Sequence, residues 1–362
     1  MAARIEVPAG PGAIQEFVRF HDRVYADRGA FWPAFPALEA PFVGGTGPVA
    51  EDRRCRPFVA REDGTIVARV LAVLDERYQR HWGEQLGHVV KFEAMPGARA
   101  AVRAMMDAAC EWLADQGADA ARCGMGALDM PFVTDDYESL PPSILRFNPP
   151  YYHAFLKDAG FEVERDYVDY QIAVRPELVA RWDDAVSTAE RAGFRLVPLR
   201  DVPAKRRAAL TADIFNETFS AHWGMSPVTA AEQATYLDLF ESVGALDTSV
   251  IGYRDDEPMG QVTAVPETSA FAFVSPGRLL RPEERLNWLG IGVRVPARGR
   301  GLNLALAGYA FRELARRGAE HVSYTLVLED NWPSRRTAER LGAEVCANYA
   351  AYRRDFRVSA SG

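Results

Sequence analysis

Gly290-Ile291-Gly292-Val293-Arg294-Val295-Pro296-Ala297-Arg298-Gly299-Arg300-Gly301-Leu302-Asn303 is the stretch on which the reading of this 362-residue chain turns. Its first half is apolar and reads as the end of a strand over 286–295. Gly299 and Gly301 then allow a tight turn that a ligand can approach closely. A helix over about 302–317 starts at once, with Leu302, Leu306, Ala310 and Leu314 on one face. The first turn of a helix leaves backbone N–H groups unpaired and carries the positive end of the dipole. Such a turn suits a pyrophosphate, and Arg298 and Arg300 add positive charge. A plain strand–helix turn with surface arginines fits the same residues.

Two common phosphate-binding loops do not fit. The Gly-x-Gly-x-x-Gly spacing is absent, and no acidic residue follows a strand about 20 residues on. The Gly-Lys-Ser/Thr ending of a Walker A loop is also missing.

Working outward, the segment from Gly308 to Gly318 reads as an amphipathic helix stopped by glycine, followed by a strand over 321–328. An earlier segment, Asp107 to Gly117, has the same form and is also followed by small and apolar residues. A second pair follows each. Phe155 to Gly160 with Phe161-Glu162-Val163 matches Ala338 to Gly342 with Ala343-Glu344-Val345. The same parts in the same order twice predict duplicated domains, although helix–Gly–strand units are common in α/β proteins. The first copy carries an insert over about 130–147, rich in Pro, Asp and Ser.

The spacing places a first domain at 1–176, a connecting helix and linker at 177–193, and a second domain at 194–362. The second should contain a strand from Phe194, helices over about 203–219 and 229–241, and strands at 249–254 and 259–265 joined by a turn at Asp255-Asp256-Glu257-Pro258. A helix over about 333–341 and strands near 345–352 close the chain. The fold class is α/β, with two lobes each built on a mixed sheet flanked by helices.

Composition sets outer limits. Hydrophobic residues make up 48% and charged residues 25%, ordinary globular values. A net charge of -8 disfavours a nucleic-acid partner, which calls for a basic excess. Cys55, Cys110, Cys123 and Cys346 have neither zinc-knuckle nor redox-pair spacing, so no metal is expected and the thiols read as reduced. The first residues lack a basic-then-apolar leader, and no stretch approaches the ~20 apolar residues of a membrane span. These features predict a cytoplasmic protein with no membrane partner, as a monomer or homodimer.

Val293, Val295-Pro296 and Arg298-Gly299-Arg300-Gly301-Leu302 resemble the central motif of the GNAT superfamily of acyl-CoA N-acyltransferases, Arg/Gln-x-x-Gly-x-Gly/Ala, which begins here at Arg298. Asn331-Trp332-Pro333-Ser334, leading through a helix to Gly342, is similar to the next landmark of that family. The first half looks like a divergent copy. Asn148-Pro149-Pro150-Tyr151-Tyr152 with Ala159-Gly160-Phe161, and Phe215 through Gly224, resemble a long, two-domain subgroup. The resemblance implies tandem GNAT-like lobes and a site for acetyl-CoA or another acyl-CoA. Its residues would be Ile291, Val293, Val295, Arg298, Gly299, Arg300, Gly301, Leu302, Asn303, Asn331 and Ser334.

Two departures from the family pattern stand out. Asn303 occupies the last small-residue position of the central motif. Ala338 stands seven residues after Asn331, where many members carry a Tyr general acid. Counting back from Gly117 and Gly318 sets Gly97 opposite Arg298 and Ala100 opposite Gly301, so the first lobe is expected to have lost the site.

The resemblance further implies direct acyl transfer to a small-molecule primary amine. The amine must be neutral to attack, and the oxyanion and leaving thiolate must be stabilised. The glycines of the 288–293 strand suit a ligand lying along the backbone, and also fit a weak, bulged strand. No glutamate sits on that strand. His222 is a candidate base by its intrinsic pKa, or a packed histidine. Tyr324 is a candidate acid facing the thiol, or a core aromatic on an alternating strand. Trp223 and Trp288, with Trp82, are candidate walls of an acceptor pocket, although tryptophans are often simply buried. An acyl-CoA-binding sensor or scaffold without catalysis is the competing reading.

Overall fold

A computed structural model describes residues 3–266, 272–274, 278–279 and 287–356, with 278–279 and 288–289 as backbone only. The first half runs β1 (Arg4–Glu6), α1 (Gly10–Val24), β2 (Ala30–Phe31), α2 (Pro36–Val43), β3 (Arg53–Glu62), β4 (Thr65–Asp75) and α3 (Glu76–Trp82). It continues with β5 (Leu86–Ala94), α4 (Arg99–Asp115), β6 (Ala120–Cys123), β7 (Phe132–Val133), α5 (Tyr151–Asp158) and β8 (Glu162–Ala173). The second half has α6 (Pro176–Arg191), β9 (Arg195–Pro198), α7 (Ala204–Thr218), α8 (Ala230–Ser242), α9 (Ala245–Thr248), β10 (Val250–Arg254) and β11 (Glu257–Val265). After the short β12 (Phe273–Val274) and β13 (Arg278–Leu279) come β14 (Trp288–Val293), α10 (Leu302–Arg316), β15 (His321–Leu328), α11 (Trp332–Leu341) and β16 (Glu344–Asp355).

The repeat seen in the sequence is a repeat of structure. In each half a strand, a helix, a strand, a second helix and a last strand follow in order: β5-α4-β6-α5-β8 and β14-α10-β15-α11-β16. Gly117 and Gly318 sit just past α4 and α10 with φ of 91° and 85°, a backbone state that favours glycine and ends a helix there.

The sheets mix the two halves. The largest has the order β1-β3-β4-β5-β6-β16-β8-β15, with β7 paired to β16. The last strand of the second half, β16, therefore lies between β6 and β8. It pairs antiparallel with both, from Tyr352↔Cys123 to Asp355↔Ala120 and from Glu344↔Gln171 to Arg353↔Glu162. Reciprocally, β8 of the first half forms the rung next to β15, from His321↔Ala173 to Leu328↔Tyr167. Each half finishes the sheet of the other. A second, antiparallel sheet has the order β14-β11-β10-β9, and β13-β12-β2 make a third.

Burial explains the patterning. β4 is nearly continuous apolar sequence because both its faces are covered. Ala68, Val70, Ala72 and Leu74 pack with α4 residues Val102, Met105 and Leu113, while Leu71 and Val73 pack with α1 residues Phe17 and Val18. α10 buries Leu302, Leu306, Phe311 and Leu314, each side chain contributing about 1.5–3 kcal/mol. The connecting helix α6 crosses it closely. A Cβ at Gly308 would lie 2.9 Å from the Trp182 carbonyl oxygen, and the Trp182 ring sits 5.3 Å from Phe311.

A buried polar cluster ties the first half to α8. Arg53 meets Asp75 at 2.7 Å and Glu232 at 3.1 Å, Arg77 meets Glu232 at 2.7 Å, and the Ser226 hydroxyl donates to Asp75 at 2.9 Å. Among the described residues no helix is long and apolar enough to cross a membrane.

Candidate active site

β14 and β15, joined by α10, are neighbours in space yet edge strands of different sheets. Among the described residues no ladder joins them, so their facing backbone groups are open to a ligand with amides of its own, which could pair as an added strand does. The equivalent strands of the first half are shut: β5 and β6 pair in parallel from Leu86↔Ala120 to Val89↔Cys123.

At the mouth of this slot the chain leaves β14 at Val293 and makes a single 3-10 turn, Val295–Ala297, before Arg298. Gly299 and Gly301 follow at φ of 73° and 83°, and no atom lies within 4 Å of where a Cβ would stand on either. α10 begins without a side-chain cap, and its first N–H groups, of Leu302, Asn303 and Leu304, have no partner within the helix. A helix start of this kind can hold an anion. Arg298 and Arg300 are exposed beside it, and the Arg298 Nε donates to the Val293 carbonyl at 3.0 Å. In the first half only 95–98 separate β5 from α4, against 294–301 here. The helix starts set Ala98, not Ala100, opposite Gly301. The shorter loop has neither the arginines nor the room.

Ile291 and Val293 pack toward α10. The strand expected to run to Val295 ends at Val293, and Val295 is 67% exposed, which makes it part of the rim rather than of the strand. Leu302 is fully buried and offers its N–H alone. The Asn303 side chain donates to Thr337 Oγ1 at 3.0 Å, locking α10 to α11. Asn331 caps α11 by accepting from the Ser334 N–H at 3.3 Å, and Ser334 Oγ lies 3.0 Å from the Tyr324 hydroxyl.

Gly292 of β14 has a packing reason, and the bulged strand that its glycines also fitted is not found. The register against β11 runs unbroken from Gly260↔Val293 to Val265↔Trp288, so there is no bulge. A Cβ on Gly292 would come within 2.3 Å of Thr218 Oγ1 and 3.0 Å of Phe219. Gly292 is small because the end of α7 lies on it.

That helix end places His222. Its ring lies edge-on to Phe219 at 5.7 Å, and Nδ1 is 3.2 Å from the Trp223 carbonyl oxygen. Burial lowers its pKa, which keeps the imidazole neutral near pH 7. Tyr324 packs on the other side, in the core shared by α10 and α11, where burial raises its pKa. The structure does not bring these two side chains together. Ala338 is fully buried in that same core. It stands one helical turn beyond Ser334, so the Tyr324 hydroxyl meets the helix face from which a tyrosine at 338 would project.

Trp223 is wedged between Tyr167, at 6.2 Å between rings, and the Arg122 guanidinium, at 4.1 Å. Trp82 donates to the Met225 carbonyl at 2.7 Å. Trp288 begins β14, and its side chain lies outside the described residues.

Two residues escaped the sequence reading. Arg294 fixes the end of β14 to α7 by donating to Asp213 and to the Pro258 carbonyl and by an ion pair with Glu217. Asp169 on β8 is 2% exposed, and among the described residues no cation pairs with it. Its Oδ1 accepts from the Leu326 N–H at 3.2 Å, and burial lifts its pKa to about 7. An acid within the strand-like run Tyr167-Val168-Asp169-Tyr170 was the available signal. Among the described residues no group of His, Cys, Asp and Glu converges as a metal site.

Residues 209–343 match the family described as Acetyltransferase (GNAT) family. The chain is 22% identical to Protein YghO of Escherichia coli (strain K12), over 94% of this chain and 92% of that one. Its fold is similar to a tandem GNAT protein from the clavulanic acid biosynthesis pathway, at TM-score 0.60 and 14% identity, covering 98% of this chain and 100% of that one. It is also similar to a GCN5-related N-acetyltransferase from Sphaerobacter thermophilus, at TM-score 0.55 and 17% identity, covering 99% and 96%. The open slot and bare helix start belong to the segment that matches the GNAT acetyltransferase family, residues 209–343, and the fold of the whole chain is similar to that of a tandem GNAT protein.

Proposed function

We propose that this protein moves an acyl group, most simply acetyl, from acyl-CoA to a primary amine of a small molecule by direct transfer. The observation that carries this is the unladdered slot between β14 and β15, ending at the open turn Gly299–Gly301. Acyl-CoA supplies the activated thioester. The N–H groups at the start of α10, with Arg298 and Arg300, hold its pyrophosphate, and the free edges of β14 and β15 pair with its amides. Neutral His222, at the end of α7 over β14, takes the proton of the attacking amine. Tyr324, kept protonated by burial, donates a hydrogen bond toward the leaving thiolate in place of the tyrosine absent at Ala338. The second lobe carries this chemistry, and the first lobe, its slot zipped, is structural.

Isothermal titration with acetyl-CoA tests the cofactor site. Wild type should release heat at sub-millimolar cofactor, and Arg298→Ala with Gly301→Glu should bind none while staying folded, with only the modest drop in melting temperature that a side chain at a φ of 83° brings. Unchanged affinity in that variant rejects the site. Tyr324→Phe should lower kcat about 100-fold with little change in acetyl-CoA affinity, and an unchanged rate removes Tyr324 from the mechanism.

A second reading rests on Ala338: a chain without the usual acid could bind acyl-CoA as a sensor. Free-thiol release over a panel of amines separates the two, because a sensor releases none with any amine.

A further inference from the structure

Behind the β15 wall of the slot, on β8 and β16, the two halves enclose a cavity of about 40 Å³. Asp169, Gln171, Cys346 and Tyr349 form one side of it. Ser139, Leu140 and Phe147 of the insert close the other, and Asp136 and Arg146 also line it. Arg146 does not neutralise the acids here. Its guanidinium is already held by Asp129 and by the Phe92 carbonyl. The Cys346 thiol donates only a long bond to Asp169 Oδ2, 3.6 Å. Burial holds that thiol protonated, and Tyr349 likewise. Among the described residues the cavity therefore contains a buried carboxylate without a counter-ion and a second acid, Asp136.

The backbone nearby is bent to hold that carboxylate. β15 slips register between Tyr324 and Val327, and Leu326 takes a positive φ of 44°, a strained state for a branched side chain. The slip turns the Leu326 N–H to Asp169. A buried carboxylate with so few donors disfavours its own ionisation, and a cation would reverse that.

We propose that this inter-lobe cavity receives a second, cationic amino group of the acceptor, with Asp169 as its carboxylate partner. The proposal rests on the amine-acylation reading and names the class of acceptor, a diamine or an amino compound with a distal ammonium. Distance supports it. The cavity is lined from strands one and two places beyond β15, about 5–10 Å at the usual strand spacing, which suits a spacer of a few methylenes. Leu326, Tyr349 and Trp223 share one apolar cluster beside it, as an alkyl spacer requires. Size adds a limit: a water needs about 10–15 Å³ of such volume, so a primary ammonium fits and a trimethylammonium does not.

The test is calorimetric titration of the full chain with butane-1,4-diamine, with butylamine and with 4-aminobutyl-trimethylammonium, each with and without coenzyme A. Wild type should bind the diamine at least tenfold tighter than the other two. Asp169→Asn and, independently, Ser139→Lys, which brings a tethered ammonium to the cavity, should bring all three to the same affinity. Equal affinities in wild type, or a diamine preference that survives both substitutions, overturns the proposal. Failure of acetyl-CoA to bind would instead sink the acyl-transfer reading, and the diamine titration without cofactor would still decide the cavity.

Discussion

At Gly292 a single missing methyl sets how close α7 comes to the slot. Gly292→Ala puts a Cβ into Thr218, and overpacking of this kind costs about 1–3 kcal/mol. Urea unfolding should show the loss, and Thr218→Ala in the same chain should restore most of it. Asp169 gives a prediction of opposite sign. Its folded pKa of about 7 lies above its ordinary 3.8, so between those values the folded protein holds a proton that the unfolded chain has released. Stability then falls as pH rises through that window, and the loss is complete above it. Asp169→Asn should melt higher than wild type at pH 8 and show no such gain at pH 4. Equal differences at both pH values would refute the raised pKa. Asp169 also marks a limit of sequence reading. Its alternation within β8 was visible, but its burial was not, because the strands that cover it, β15 and β16, arrive about 150–180 residues later.

At the scale of elements the sequence was most legible where physics is local. Helices stopped by Gly117, Gly160, Gly318 and Gly342 lie where the pattern set them, all four glycines at positive φ, and β15 matches the expected 321–328. The strand before the turn did not run to Val295, because Pro296 and the 3-10 turn at Val295–Ala297 break it early. The pairing of Ala100 with Gly301 was two residues off, since the helix starts set Ala98 there. Counting back from glycines assumes helices of equal length, and α4 is longer than α10. The start of α11 offers a measurable element effect. Asn331→Ala removes the cap on Ser334, which should cost about 1 kcal/mol, read as a lowered urea midpoint. It should also loosen the Ser334–Tyr324 pair, so the rate should fall more than acetyl-CoA affinity does.

Over the whole molecule the decisive feature is the one that periodicity carries no trace of, the crossing of β8 and β16 between halves. Two lobes joined only by a linker would melt separately. Here deletion of residues 344–362 removes a strand from the middle of the largest sheet, between β6 and β8. Such a chain should lose the helical circular dichroism of both halves, not of the second alone. A truncated protein that kept a folded first half would contradict the shared sheet. The buried cluster at Glu232 makes the same point from the side chains. Breaking one partner of a buried ion pair costs about 3–5 kcal/mol, so Glu232→Ala should lower the single unfolding midpoint reported by probes in either half.

The crossed strands also bear on descent. Two identical half-chains, each handing its final strand to its neighbour, would assemble this same sheet as a symmetric pair with two equal clefts. Once fused, the arrangement no longer depends on concentration and no longer has to be symmetric. In this chain one cleft is closed at Leu86–Val89, while its twin keeps an open mouth and takes a neighbouring strand, with Asp169 in it, from the other half.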